Sequence, residues 1–312
     1  MTREQSTEAS GRTRYQDGDE NYHRNGDDPP GDPETAASEF AGKNLAIGYE
    51  AMEEPIIDDE SLRVPPGEVT ALVGPNGSGK STLLKGLANQ LPLDGGTVLL
   101  DGRDIHTLGT KELARRLGLL SQENLSPDSI TVEKLVGHGR YPHRGFFESM
   151  TDEDRAAIDR AISLAGIEHL RERDVGSLSG GQKQLVWIAM VLAQETDVLL
   201  LDEPTTFLDL RHQLEVMDIV ERLRDDSDIT VVLVLHDIDQ AARHADHMVA
   251  LKDGAIHARG TPQAVVTEDL LAEVFEVDAE VEVTDRGPRI IPHRARHEGT
   301  GENARADGGS TE

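Results

Sequence analysis

The sequence predicts an α/β domain built on a mostly parallel sheet, with a helical subdomain inserted into it. Three observations lead there. The nearly all-apolar runs Val198-Leu199-Leu200-Leu201 and Thr230-Val231-Val232-Leu233-Val234-Leu235 end in Asp202-Glu203 and His236-Asp237. Continuous Val/Leu strands suit a sheet covered on both faces, and polar residues at their ends mark the carboxyl edge where α/β sheets bind ligands. Helical patterns separate these runs, and residues from about 123 to 178 are mostly helical and polar.

The elements follow in order. Residues 1–41 are polar, acidic and rich in Gly and Pro, as in Asp27-Asp28-Pro29-Pro30-Gly31. Such a segment buries too little apolar surface to offset chain entropy and is expected to be a disordered tail. Glu68-Val69-Thr70-Ala71-Leu72-Val73 is a short strand that runs into a glycine loop. A helix follows, with Leu83, Leu84, Leu87 and Leu91 on one face. Leu117 to Leu120 is strand-like, residues 152–165 are helical, and a further helix holds Gln184-Leu185-Val186-Trp187-Ile188-Ala189. The two buried strands come next. Residues 293–312 are expected to be a second disordered tail, which leaves one domain over residues 42–292.

Composition narrows the function. The 312 residues include 31 Lys+Arg against 59 Asp+Glu, a net charge of −28. That argues against a nucleic-acid partner, which needs basic patches to neutralise phosphates. Lys is scarce relative to Arg, and acid is spread over the whole chain, so the surface resembles that of a protein from a salt-loving cell. No cysteine is present, which removes disulfides, thiolate nucleophiles and Cys-ligated metals. No apolar run approaches the ~20 residues of a membrane-spanning helix, and Met1-Thr2-Arg3-Glu4-Gln5 lacks the apolar core of a signal peptide. A membrane role is therefore expected to be peripheral. The charge carries a prediction of its own. Debye length falls from about 30 Å at about 0.01 M salt to about 3 Å at about 1 M, so self-repulsion is strong only in dilute salt. Melting temperature is expected to rise with KCl, and a flat profile up to molar salt would remove the high-salt reading.

Gly74-Pro75-Asn76-Gly77-Ser78-Gly79-Lys80-Ser81-Thr82 fits the G-x-x-x-x-G-K-[ST] pattern. Gly74, Gly77 and Gly79 let the chain curl with its N–H groups inward, and the next helix points its positive end at phosphates. Lys80 supplies a cation for the β- and γ-phosphates, and Ser81 a hydroxyl for Mg²⁺. By itself the loop indicates only nucleoside triphosphate binding. At the end of the Val198 strand, Asp202 is placed to organise Mg²⁺ through its water shell and Glu203 to take a proton from an attacking water. Leu178-Ser179-Gly180-Gly181-Gln182 opens a helix, and such an N-terminus with two glycines and a serine is an anion site.

These motifs, in this order on one chain, resemble the ATPase subunits of the ABC (ATP-binding cassette) family over roughly residues 43–292. The resemblance implies the P-loop ABC-ATPase fold, with an N-terminal antiparallel β part beside the sheet. It implies ATP and Mg²⁺ as cofactors and a head-to-tail homodimer in which Ser179, Gly180, Gly181 and Gln182 of one copy bind the ATP of the other. His236 matches the switch histidine that touches the γ-phosphate. Gln122 matches the Q-loop glutamine that reaches Mg²⁺ and hinges the helical subdomain. Asp209, in Phe207-Leu208-Asp209, matches the D-loop at the dimer interface, and Tyr49 the aromatic stacked on adenine, although a packed loop Tyr is the alternative.

Further stretches point to one branch. Val136-Gly137-His138-Gly139-Arg140-Tyr141-Pro142-His143, Trp187-Ile188-Ala189-Met190, Leu208-Asp209-Leu210-Arg211-His212-Gln213 and the run from His236 to Arg243 look like the ATPase subunits of iron(III)–siderophore, haem and cobalamin importers. That resemblance implies an integral-membrane permease as partner, an extracytoplasmic substrate-binding protein indirectly, and a place on the cytoplasmic face of the membrane. Residues 139–143 are expected to dock the permease. His138, His143 and His212 have no ligand-set spacing for a metal. An ABC ATPase acting on ribosomes or DNA usually has two cassettes, a coiled-coil insertion or basic arms, which this chain lacks. An exporter subunit is the other alternative, and the docking stretch favours import.

Overall fold

The computed structural model describes residues 37–49, 54–122, 124, 129–145, 148–285 and 287–296. Two strands open the domain: β1 (Phe40–Ile47) and β2 (Ile57–Val64). β3 (Val69–Val73) then delivers the glycine loop to α1 (Lys80–Leu87). β4 (Gly95–Leu100) and β5 (Arg103–Asp104) return the chain to β1, so that β2-β1-β4-β5 form the antiparallel sheet expected at the N-terminal side. α2 (Thr110–Arg116) leads to β6 (Leu117–Leu120).

The helical subdomain comes next. α3 (Val132–Val136) runs into a 3₁₀ stretch at Gly137–His143, followed by α4 (Asp152–Leu164) and α5 (Gly180–Leu192). Thr151 starts α4 with a capping box to Asp154, and Ser179 starts α5 with one to Gln182. Each box satisfies orphan N–H groups of a first turn from both sides. The chain re-enters the sheet as β7 (Val198–Asp202), crosses by α6 (Leu210–Asp226) to β8 (Thr230–Val234), and by α7 (Ile238–His244) to β9 (His247–Lys252). β10 (Ala255–Gly260), α8 (Pro262–Val265), α9 (Glu268–Glu273) and a hairpin of β11 (Val277–Thr284) and β12 (Gly287–Ala295) complete it.

The main sheet has the order β10-β9-β3-β8-β7-β6. Its neighbours pair in parallel except β9 with β10. All five residues of β3, β7 and β8 are buried, and their side chains alternate between two cores. Val69, Ala71, Leu199, Leu201, Val231 and Leu233 belong to a core shared by α6, α7 and the helical subdomain. Leu72, Val198, Leu200, Val232 and Val234 pack with α1 and the antiparallel sheet. A period of two with apolar residues on both faces is the reason these strands read as unbroken Val/Leu runs.

Parallel pairing decides where the site lies. It brings the carboxyl ends of β3, β8, β7 and β6 to one edge. Gly74, His236, Asp202-Glu203 and Gln122 follow those ends, and so line up across up to 162 residues of sequence (74 to 236).

The domain limits differ from the sequence expectation. β1 begins at Phe40, two residues inside the stretch assigned to the first tail, and Phe40 is buried beside Leu100. β12 continues to Ala295, three residues into the stretch assigned to the second tail. Pairing with β11 holds it there, and Asp278 takes both the Arg294 and the Arg296 guanidinium. Cross-strand partners outweigh a polar composition. The rest of both expected tails, residues 1–36 and 297–312, lies outside the described residues.

Candidate functional site

The glycine loop folds as its residue types require. Gly74 and Gly79 have positive φ, 148° and 96°. A Cβ on Gly74 would stand 2.2 Å from the Leu251 carbonyl oxygen, so only glycine fits against β9. Asn76, Gly77, Gly79, Lys80, Ser81 and Thr82 line a cavity of about 180 Å³ together with Ile56, Glu203 and His236. Lys80 Nζ donates to the Gly74 and Pro75 carbonyls at 2.9 and 2.8 Å, folded back onto its own loop. Burial lowers the Lys80 pKa below the usual range, against the opposing pull of Glu203 and Asp202.

The carboxylates occupy distinct environments. Ser81 Oγ donates to Asp202 Oδ1 at 2.8 Å, while Asp202 Oδ2 is buried without a partner. Burial raises the Asp202 pKa, and the Ser81 hydrogen bond offsets this only in part. A buried oxygen lacking a donor, beside a serine hydroxyl, is a donor set that fits a hard divalent cation such as Mg²⁺.

Glu203 is held at both oxygens. His236 Nε2 lies 2.6 Å from Oε1, and Gln122 Nε2 donates to Oε2 at 2.7 Å. Thr206 Oγ1 donates to the same Oε2 at 3.1 Å. Each carboxylate oxygen accepts at more than one site, so room remains for a water. Glu203 itself has φ 52° and Phe207 has φ 63°, a left-handed backbone that costs energy for residues other than Gly.

The structure therefore brings Asn76, Gly77, Gly79 to Thr82, Asp202, Glu203, His236 and Gln122 together, with Gly74, Pro75 and Ser78 forming the loop behind them. Three expected groups stand elsewhere. Tyr49 is 41% exposed and does not line the cavity. Neither do Ser179, Gly180, Gly181 and Gln182. Gln182 caps its own helix, with its backbone N–H donating to Ser179 Oγ and its Oε1 accepting from Ser179 N. The S-x-x-Q spacing carries that capping box in the sequence. Asp209 caps α6 by accepting from His212 N, and its carboxylate meets His212 Nδ1 at 2.8 Å. The His212 ring sits over Gly181, where a Cβ would come within 2.3 Å, so the D-loop and the signature helix are neighbours in one chain. Ile56 and Thr206 join the site without having been expected. Thr206 had one legible signal, a hydroxyl three residues past the strand-end Glu; Ile56 had none.

The expected docking stretch divides in two. Tyr141 is exposed and stacks on His138, with ring centroids 4.9 Å apart. Arg140, expected on the same surface, is instead 2% exposed. It binds Asp154 at 3.0 Å, Glu195 at 2.8 Å and the Ala193 carbonyl at 2.9 Å. His143 Nε2 lies 2.7 Å from the Gln194 carbonyl oxygen.

Comparison with known proteins gives a consistent picture. The ABC transporter family model matches residues 57–206. The chain is 45% identical over 258 residues to the probable siderophore transport system ATP-binding protein YusV of Bacillus subtilis (strain 168), which covers 82% of this chain and 93% of that protein. It is similar to a solved transporter described as metal-chelate type, in an inward-facing conformation, with a TM-score of 0.70 and 26% identity over 83% of this chain and 98% of that one. It is also similar to a dimeric bacterial ABC transporter cassette, with a TM-score of 0.63 and 28% identity over 71% and 98% of the two chains.

Proposed function

This chain belongs to the ABC transporter family as an ATP-binding subunit whose hydrolysis is coupled to transport, and from that premise we propose that it powers import of an iron(III)–siderophore or a related metal chelate. The cargo class rests on its likeness to the siderophore and metal-chelate systems above. The catalytic unit is one domain over about residues 40–295, with the helical subdomain inserted after Gln122. Among the described residues no helix is long and apolar enough to cross a membrane. The passage is therefore assigned to an integral-membrane permease. The subunit works on its cytoplasmic face, and an extracytoplasmic binding protein delivers cargo from the other side.

One observation carries the mechanism: the cavity holds the glycine loop, Glu203 and His236 but not the signature residues. An ATP bound there is closed over by Ser179, Gly180 and Gly181 of a second copy. The surface suits such a partner. Phe207 is 96% exposed, and Leu210 and Leu214 beside it are exposed as well. Apolar groups concentrated on the segment that follows the base favour burial in an interface.

Within the site, the N–H groups of the glycine loop that the loop does not use itself and the N-terminus of α1 take the phosphates. Lys80 leaves its loop carbonyls for the β- and γ-phosphate oxygens. Ser81, Asp202 and Gln122 would hold Mg²⁺, which supplies charge neutralisation at the phosphates. Glu203 accepts the proton of the attacking water, with His236 and Gln122 fixing its carboxylate. Tyr49 stacks on the adenine from the solvent side.

Tyr141 is the exposed member of the docking stretch. Tyr141→Ala is expected to lower uptake of a radio-iron-loaded hydroxamate siderophore severalfold in vesicles reconstituted with the co-purified permease. ATPase activity of the free subunit is expected to stay at the wild-type rate. Undiminished uptake would remove this face from the permease contact. Recovery of the protein on ribosomes or DNA, without a permease, would overturn the transport reading itself.

A further inference from the structure

Three glutamines from three different helices grip the segment just beyond Glu203. Gln184 on α5 donates through Nε2 to the Pro204 carbonyl at 3.0 Å. Gln240 on α7 accepts through Oε1 from Thr205 Oγ1 at 3.0 Å, with both side chains buried. Gln213 on α6 donates to the Leu208 carbonyl at 3.1 Å. The gripped segment needs support. It begins at Glu203 and ends near Phe207, both with positive φ, and holds itself by the turns from Thr206 N to the Glu203 carbonyl and from Leu208 N to the Thr205 carbonyl and by the Thr206 hydroxyl on the Glu203 carboxylate. A left-handed backbone away from glycine persists where surrounding contacts over-determine it.

Among the three, Gln184 stands on a different part of the molecule. α6 and α7 flank the sheet edge that holds the site. α5 belongs to the helical subdomain, and its first turn carries Ser179, Gly180 and Gly181. Gln184 is one turn further along that helix. A shift of α5 therefore pulls directly on the residue after the base, through one hydrogen bond and one peptide unit.

We propose that Gln184 is a positioning residue for Glu203, fastening the turn that carries the base to the helix that presents the signature residues. It rests on the reading of Glu203 as the base. Under this arrangement the closure of α5 on the ATP of a second copy also sets the geometry of the chain's own base. The two ATP sites of a dimer are then mechanically joined within each chain, and the helical subdomain reports its orientation to the chemistry.

The test uses the full chain and two substitutions. Gln184→Met keeps length and neutrality but has no donor; Gln184→Lys keeps a donor for the Pro204 carbonyl. Loss of one such hydrogen bond in the active geometry is expected to lower kcat about tenfold in the Met variant. KM for ATP, affinity for a fluorescent ATP analogue and the melting temperature are expected to stay at wild-type values. The Lys variant is expected to recover at least about half of kcat, since its donor reaches the same acceptor. A wild-type kcat in Gln184→Met would overturn the proposal. So would a fall in kcat matched by loss of melting temperature and rise in KM, which marks simple packing, or a Lys variant as slow as the Met one. Glu203→Gln separates the two levels. If it hydrolyses ATP normally, the base reading falls and this inference with it; if it is inactive while Gln184→Met is normal, this inference alone falls.

Discussion

Glu203→Gln is expected to bind ATP as the wild type does and to hydrolyse it about 10²–10⁴-fold more slowly, the usual cost of removing a general base. The substitution is isosteric, and it leaves untouched the glycine loop and Lys80, proposed to take the phosphates, and Ser81, proposed for Mg²⁺. An amide carries one acceptor oxygen in place of two. It can therefore keep part of the set made by His236, Gln122 and Thr206 but has no basic oxygen left for the water. Uncleaved ATP is then expected to hold two copies together, closed by Ser179 of each on the ATP of the other. Gel filtration with ATP and Mg²⁺ is expected to show a shift from monomer to dimer that ADP does not produce. Hydrolysis near the wild-type rate would remove Glu203 from the role of base.

Arg140→Met is expected to destabilise the helical subdomain by about 3–5 kcal/mol, the cost of breaking a buried ion pair from one side. The guanidinium is enclosed with Asp154, Glu195 and the Ala193 carbonyl. Burial would raise the Asp154 pKa, but hydrogen bonds from Thr151 and Arg140 prevail and hold it below the usual carboxylate range. A carboxyl with a depressed folded-state pKa stabilises the fold above its unfolded pKa, and that contribution is lost as pH falls through the folded value. In Arg140→Met the Arg140 share of that stabilisation is gone, and Asp154 remains buried with less compensation. The gap to the wild type is therefore expected to be widest near neutral pH and to narrow in acid. Adding Asp154→Asn is expected to recover part of the loss. Chemical denaturation in molar KCl measures all three variants. Tyr141→Ala, on the exposed neighbour, is expected to change stability by no more than about 0.5 kcal/mol. Equal, small losses for Arg140→Met and Tyr141→Ala would show that Arg140 is not the pivot of this cluster.

Arg140 and Tyr141 are adjacent and belong to one stretch that resembles a docking segment, so sequence assigned both to the surface. In the 3₁₀ run Gly137–His143, neighbouring side chains leave the backbone in different directions. Only the packing of α4 and of the end of α5 decides which of them meets carboxylates. Gln122 is a similar case. Its strand and place before the helical subdomain were legible, but its bond to Glu203 depends on β6 lying next to β7. The grip of Gln184, Gln240 and Gln213 on the turn had no sequence signal, because three polar residues on three amphipathic helices look like solvated positions.

What short-range physics controls was legible in the chain alone. The glycines and Lys80 of the phosphate loop, the two-faced apolar strands, the Ser179 helix start and the acidic surface each follow from residues within one element, where φ/ψ preference, periodicity and charge act locally. Tertiary structure decided everything that joins elements. The order β3-β8-β7-β6 sets the site residues along one edge. Cross-strand pairing carries β1 and β12 into the stretches read as tails. Burial turns Arg140 inward, and the signature residues stay outside the cavity their own chain forms. The physical reason is common to all of these. A hydrogen bond or ion pair between distant residues stabilises only once desolvation and chain entropy have been met by the surrounding core, and that core is a property of the whole arrangement.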